Sequence, residues 1–213
     1  MRFASFVSAV FLVCSSTPAF AYYALLDNGE VMKPGHYKLT GDLQALTDDG
    51  GLNAGGRIDA GLDEEFGVRG VVGFGEIDYF FGALFKWMPV PDIESQPAMG
   101  ANMGILYGKD GDVSDLTFRI EPMLSKRITI DQTFITPYVA LPVGLRIRKV
   151  DNPRVNDDTK GTFQLVFGGQ LQVEQWKNLQ FLAEIGLDLD QAPGYISAGA
   201  IFYFDSENGF SLE

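Results

Sequence analysis

Cysteine is all but missing from this sequence: Cys14 is the one example among 213 residues, and it stands near the start. Disulfides therefore cannot hold the body of the chain together. Histidine is equally scarce. His36 is alone, and catalytic triads built on imidazole have little to start from. Basic residues are outnumbered, 16 Lys and Arg against 28 Asp and Glu, for a net charge of −12. Binding phosphate backbones takes a basic surface, so nucleic acid is excluded as a partner. Nor does an uninterrupted apolar run of membrane-helix length appear. The most apolar stretch, Phe66 to Val90, is broken by Arg69, Glu76, Asp78 and Lys86. A membrane crossing would have to be made of strands closed into a barrel.

What is present is 46% hydrophobic residues, with 25 Gly and 17 Phe spread along the chain, enough for one domain. Arg2, the apolar run from Phe3 to Val13 and the Ala19-Phe20-Ala21 site predict a signal peptide over residues 1–21. No small residue precedes Cys14 in the way a lipoprotein signal requires, so lipidation is not expected. Residues 22–35 form a lead segment that reads as irregular. From His36 to Phe204 the chain alternates apolar and polar with period two, and a tail, residues 205–213, follows.

Side chains on a strand point to opposite faces in turn. The last strand shows this best. Ile196, Ala198, Ala200, Phe202 and Phe204 lie on one side, and Tyr195, Ser197, Gly199, Ile201 and Tyr203 on the other. Nine earlier segments, starting near His36, Leu52, Phe66, Tyr79, Met99, Leu116, Ile135, Thr162 and Leu179, repeat the pattern. That makes about ten strands, with eight or twelve possible, each longer than the five or six residues usual in soluble sheets. Pro137 and Pro142 fall inside the seventh, where lost backbone donors predict bulges or breaks. The expected fold is all-β, an antiparallel up-and-down transmembrane barrel over residues 36–204.

The two faces differ in charge. The apolar faces carry essentially none, whereas the others hold Lys38, Asp42, Arg57, Asp59, Arg69, Lys86, Arg119, Glu121, Arg146, Arg148, Glu184 and Asp188. Seven of these are basic and five acidic. A narrow lumen must balance its charges because they lack bulk water, while a solvated surface need not. The charged face is therefore assigned to an ion-paired lumen and the apolar face to lipid. Aromatic residues near strand ends (Tyr37, Phe66, Tyr79, Trp87, Tyr107, Phe163 and Phe204) suit the two lipid–water boundaries. A soluble secreted barrel of lipocalin type would reverse the faces.

Together these features resemble the small monomeric outer-membrane β-barrel proteins of Gram-negative bacteria. Ser197-x-Gly199-x-x-Phe202-x-Phe204 is similar to the terminal-strand signal that such proteins present to the barrel-assembly machinery. Nine residues follow Phe204, whereas the family usually ends on that aromatic. The resemblance implies export to the outer membrane, contact with lipid and lipopolysaccharide, and both chain termini in the periplasm. Loops 47–51, 75–78, 108–114, 149–160 and 189–194 would then face outward.

Enzymatic chemistry finds little support. His36 has no Ser or Asp set beside it by sequence, and Gly73-Phe74-Gly75 lacks the helix that a phosphate loop needs. Asp110, Asp112 and Asp115, and Asp157 with Asp158, do not match the spacing of a calcium loop. No cofactor or metal is expected. The expected role is structural, or an interaction through outer loops, with a narrow pore for small solutes as the alternative.

Overall fold

The computed structural model describes residues 24–47, 50–151, 157–173 and 179–206. The expected signal peptide and most of the tail lie outside these residues. Twelve strands form one sheet: β1 (His36–Leu46), β2 (Leu52–Gly61), β3 (Phe66–Gly75), β4 (Tyr79–Val90), β5 (Ala98–Asp110), β6 (Val113–Ser125), β7 (Ile128–Ile130), β8 (Thr133–Ala140), β9 (Val143–Val150), β10 (Asp158–Val173), β11 (Leu179–Asp190) and β12 (Tyr195–Asp205). All pairings are antiparallel, and β12 returns to β1 in continuous register from His36↔Asp205 to Leu46↔Tyr195. The barrel wall is thereby closed on itself.

Ten crossings make up the wall. β8 and β9 are one crossing interrupted at Leu141-Pro142, because both keep a single register with β6 (Ile120↔Val143, Met123↔Ala140) and with β10 (Phe163↔Val143, Val166↔Ala140). β7 pairs with β8 alone, in a short hairpin at the rim. Of the two awkward prolines, Pro142 does break the ladder. Pro137 does not: it stays within β8 opposite Gly169. Thr136 and Pro137 fall between the residues that β8 pairs with β7 and those it pairs with β6, and no ladder donor is required of Pro137 on that side, where its carbonyl accepts from the Lys126 amide at 3.1 Å.

The barrel is apolar outside and polar inside. Leu43, Val72 and Phe74 are 65%, 61% and 66% exposed, whereas Lys38, Arg57 and Glu184 are 1%, 2% and 1% exposed. That is the polarity of a transmembrane barrel. At the rim carrying His36 and Asp205, Tyr37 stacks on Phe204 with ring centroids 5.2 Å apart, and Phe66 faces Trp87. At the other rim Tyr79 lies beside Tyr107 at 6.3 Å, and Phe81, two residues further into β4, lies 5.2 Å from the same ring.

Candidate functional site: the lumen and the segment that fills it

The lead segment enters the barrel. Ala24, Leu25, Leu26, Asp27 and Asn28 are all buried, and the chain leaves at Gly35, on the rim where His36 begins β1. Gly61 allows it to pass, since a Cβ there would meet the carbonyl oxygen of Met32 at 1.6 Å. The wall satisfies the backbone of this irregular segment as a sheet partner otherwise would. Arg57 Nη2 donates to the carbonyl of Ala24 at 3.1 Å and Arg69 Nη1 to that of Leu25 at 2.8 Å. Lys86 Nζ donates to the carbonyls of Asn28 and Glu30 at 2.8 and 2.6 Å. Ser125 Oγ accepts from the Gly29 amide at 2.8 Å.

Asp27 is the centre of this arrangement. Its Oδ1 lies 3.1 Å from Lys38 Nζ, 2.9 Å from Arg69 Nη2 and 2.8 Å from Lys86 Nζ. Its Oδ2 accepts from Asn102 Nδ2 at 3.0 Å. The four wall residues come from β1, β3, β4 and β5, whose inward positions meet the segment at one level. Asp59 braces the cluster from the wall, 2.6 Å from Arg69 Nε and 3.7 Å from Lys38 Nζ. Asn102 also donates to Glu121 at 3.0 Å.

Glu184 is the second anchor, and its surroundings differ from expectation. The sequence places it in an ion-paired lumen. Its carboxylate in fact accepts from the amides of Leu25 and Leu26, at 2.7 Å each, and from the phenols of Tyr138 and Tyr195. Both phenol rings lie flat over glycines. A Cβ on Gly168 would meet the Tyr138 ring at 2.1 Å, and one on Gly186 the Tyr195 ring at 2.2 Å. Small residues on this face thus make room for the rings that orient the carboxylate.

The other predicted lumen residues divide. Arg57 pairs with Asp42, and Arg119 with Glu121, all buried. Arg148 is half-buried and lies 2.9 Å from Asp115, its cross-strand partner. Asp115 is therefore an inward residue of the wall and not part of an acidic loop. Arg146 is buried, yet it has no ion-pair partner among the described residues, and its Nη1 meets no hydrogen-bond partner there. Asp188 does not join the buried set: it is exposed near the end of β11, where it accepts from the Ala192 amide at 3.0 Å. His36 is exposed at the rim, its ring 3.4 Å from the carbonyl of Pro34.

In the terminal strand Ser197 is buried, donating to the carbonyl of Leu43 at 2.9 Å, while Phe202 and Phe204 lie on the outer face. Gly199 has a packing reason for being glycine, since a Cβ would meet the Gly41 carbonyl at 2.4 Å.

Around Ala24 the lumen is filled by apolar side chains. Ala24, Leu26, Val71, Ile77, Phe80 and Leu84 pack together with Tyr195 and Ile201. The turn after β11 folds over them, with Ala192, Pro193 and Gly194 buried and Gln164 Nε2 donating to the Pro193 carbonyl at 2.8 Å. Beside Ala24, among Arg57, Arg69, Leu84 and Arg119, a void of about 10 Å³ remains, room for one water at most. Below, a cavity of about 510 Å³ opens to the rim between the segment and the turns, lined in part by Asn28, Glu30, Ser125, Arg127 and Gln170.

No family model matches this chain, and no curated protein does. Solved structures similar to it include a de novo designed transmembrane β-barrel, 13% identical with a TM-score of 0.40, covering 82% of this chain and 99% of that one. The N-terminal β-barrel domain of OprF from Pseudomonas aeruginosa is 11% identical with a TM-score of 0.36, covering 81% and 100%. Ail, the attachment invasion locus protein of Yersinia pestis, solved in complex with the heparin analogue sucrose octasulfate, is 12% identical with a TM-score of 0.36 and the same coverage. At such identities the likeness extends to the fold alone.

Proposed function

We propose that this chain is exported to the outer membrane of a Gram-negative cell and stands there as a monomeric, non-catalytic barrel closed by its own N-terminal segment. Its work is structural, or an interaction made through the outward loops, and it does not pass solutes at rest. The observation that carries this reading is the seating of Asp27 among Lys38, Arg69 and Lys86. A strand barrel of this size has little free bore to begin with, and the segment fills its middle, leaving the rim cavity below. The apolar girdle supports the membrane. Exposed Leu, Ile, Val and Phe side chains ring the whole wall, far more than the few hundred Å² a soluble monomer leaves bare. The exposed, rim-bound His36 supports the non-catalytic reading.

Lipid and lipopolysaccharide are the partners such a surface would meet, and Ser197, Gly199, Phe202 and Phe204 are the residues we assign to the assembly machinery. Purified in detergent and added to a planar bilayer, the protein is expected to give no steady conductance steps. Regular openings of the parent protein would favour the narrow-pore alternative and end the closed-lumen reading. Outer-membrane fractionation, followed by comparison of unheated and boiled samples on a gel, tests the location and the barrel independently.

A further inference from the structure

The place that Asp27 occupies has the composition of a receptor. Three buried cations and one amide donor, all from the wall, point at a single carboxylate and engage both of its oxygens: Lys38, Arg69 and Lys86 on one, Asn102 on the other. Most of these groups are held by residues outside the lead segment. Arg69 and Lys38 are braced by Asp59, and Asn102 by Glu121. The donors are therefore preorganised by the barrel itself.

Charge supports the same conclusion. Setting Asp27 aside, the inward charged residues of the wall are Lys38, Arg57, Arg69, Lys86, Arg119, Arg146 and Arg148, against Asp42, Asp59, Asp115, Glu121 and Glu184. Seven basic groups face five acidic ones, an excess of two positive charges. Cations kept from water without a counter-ion are costly, so a wall built this way calls for an anion.

We propose that the seat of Asp27 is a binding site for a small carboxylate anion, which the lead segment keeps filled as a built-in ligand. A halide would satisfy the three cations but leave one N–H of Asn102 without an acceptor, the other being held by Glu121; two oxygens on one carbon satisfy both sides. The rim cavity is lined by Asn28, the residue that follows Asp27, and is the side from which a soluble anion would come. The inference rests on the seating of the segment in the lumen and not on the membrane that surrounds the barrel. The fractionation and gel tests can fail while this one holds.

The test is chemical rescue in the full chain, folded in detergent. Asp27→Ala removes the carboxylate and leaves space for formate. The variant is expected to unfold at a lower temperature than the parent, and sodium formate to raise that temperature saturably, as linked binding requires. Sodium chloride at equal ionic strength should not do so, and the parent, whose seat is filled, should respond to neither salt. Adding Lys86→Met to Asp27→Ala should abolish the rescue. If Asp27→Ala yields no folded barrel, Asp27→Asn carries the same comparison, because its uncharged amide should yield the seat to formate. Equal responses to formate and chloride, equal responses of parent and variant, or no formate response in the folded variant would overturn the proposal.

Discussion

At the scale of single residues, two buried arginines on the same wall have opposite prospects. Arg69 has its charge answered by Asp27 and Asp59 and a further donor on the Leu25 carbonyl. Arg146 is as well buried but has no ion-pair partner among the described residues. Removing one member of a buried ion pair leaves the others uncompensated and costs about 3–5 kcal/mol. Removing a buried charge that has no partner takes away only its desolvation penalty. Arg69→Met should therefore destabilise the barrel by about that amount, while Arg146→Met leaves stability unchanged or raises it. Urea unfolding in detergent checks both, and comparable losses would refute the distinction.

Much of this was legible residue by residue, because alternation alone assigns a side. Lys38, Arg57, Arg69, Lys86, Arg119 and Glu121 turn inward as the period of two requires. The partners were not legible, because a pairing depends on register and on the third dimension. Asp59 and Arg69 face each other across the turn at 62–65, and Asp115 and Arg148 across β6 and β9. Only the first pair sits in a hairpin short enough to be registered from sequence. Asp27 itself was missed, although it left a trace: a lumen face with seven basic and five acidic residues lacks negative charge, and the nearest unplaced acid was in the lead segment. Asp188 was misplaced because alternation fixes the face of a strand but not where the strand leaves the barrel.

At the scale of elements, the lead segment is held as a strand would be, by its own backbone, though it has no regular structure. Its weak point is steric. Gly61 touches the Met32 carbonyl so closely that any Cβ must displace one or the other. Gly61→Val should lift the segment from its seat while leaving the sheet ladder of β2 intact, since valine is at home in strands. The expected result is cleavage of the folded, gel-shifted barrel within its first 35 residues by added protease, with the parent resistant. Cleavage of both at the same rate would show that the segment is not held where the structure has it.

Two turns at the rim carrying His36 are tied to each other by one carboxylate. Asp92, in the turn after β4, accepts from the Arg127 amide at 2.6 Å and pairs with Lys126 beyond β6, locking one turn to the next. Partial burial alone would push its carboxyl up, but the Arg127 amide and the Lys126 ammonium outweigh that and hold it below its ordinary value near 3.8. A carboxylate with a depressed value in the folded state adds stability above its ordinary value. That contribution disappears as pH falls through the lowered one. Asp92→Asn should thus lower stability at neutral pH and flatten its decline below about pH 4, measured by unfolding at a series of pH values. An unchanged acid limb would sink the assignment.

At the scale of the whole molecule, the inverted polarity is the property from which the rest follows, and it can be tested at one pair of neighbours. Val71 and Val72 are adjacent in β3, yet Val71 is 4% exposed inside the lumen and Val72 is 61% exposed on the outer wall. Val72 lies in mid-strand, paired with Gly56 on one side and Phe81 on the other. In a barrel that spans lipid, an arginine there meets acyl chains and costs about 2–4 kcal/mol, with the cost falling toward either boundary. In a soluble barrel the same position would be ordinary solvated surface, where substitutions change stability by about 0.5 kcal/mol or less. Val72→Arg, refolded into phospholipid vesicles and compared with the parent by denaturant titration, should lose the larger amount. Leu52→Arg, at the start of β2 and so at the rim, should lose much less. Equal, small losses at both positions would mean that the apolar wall does not face a bilayer. The outer-membrane assignment would then fall, while the closed sheet and the buried cluster around Asp27 would still need their own explanation.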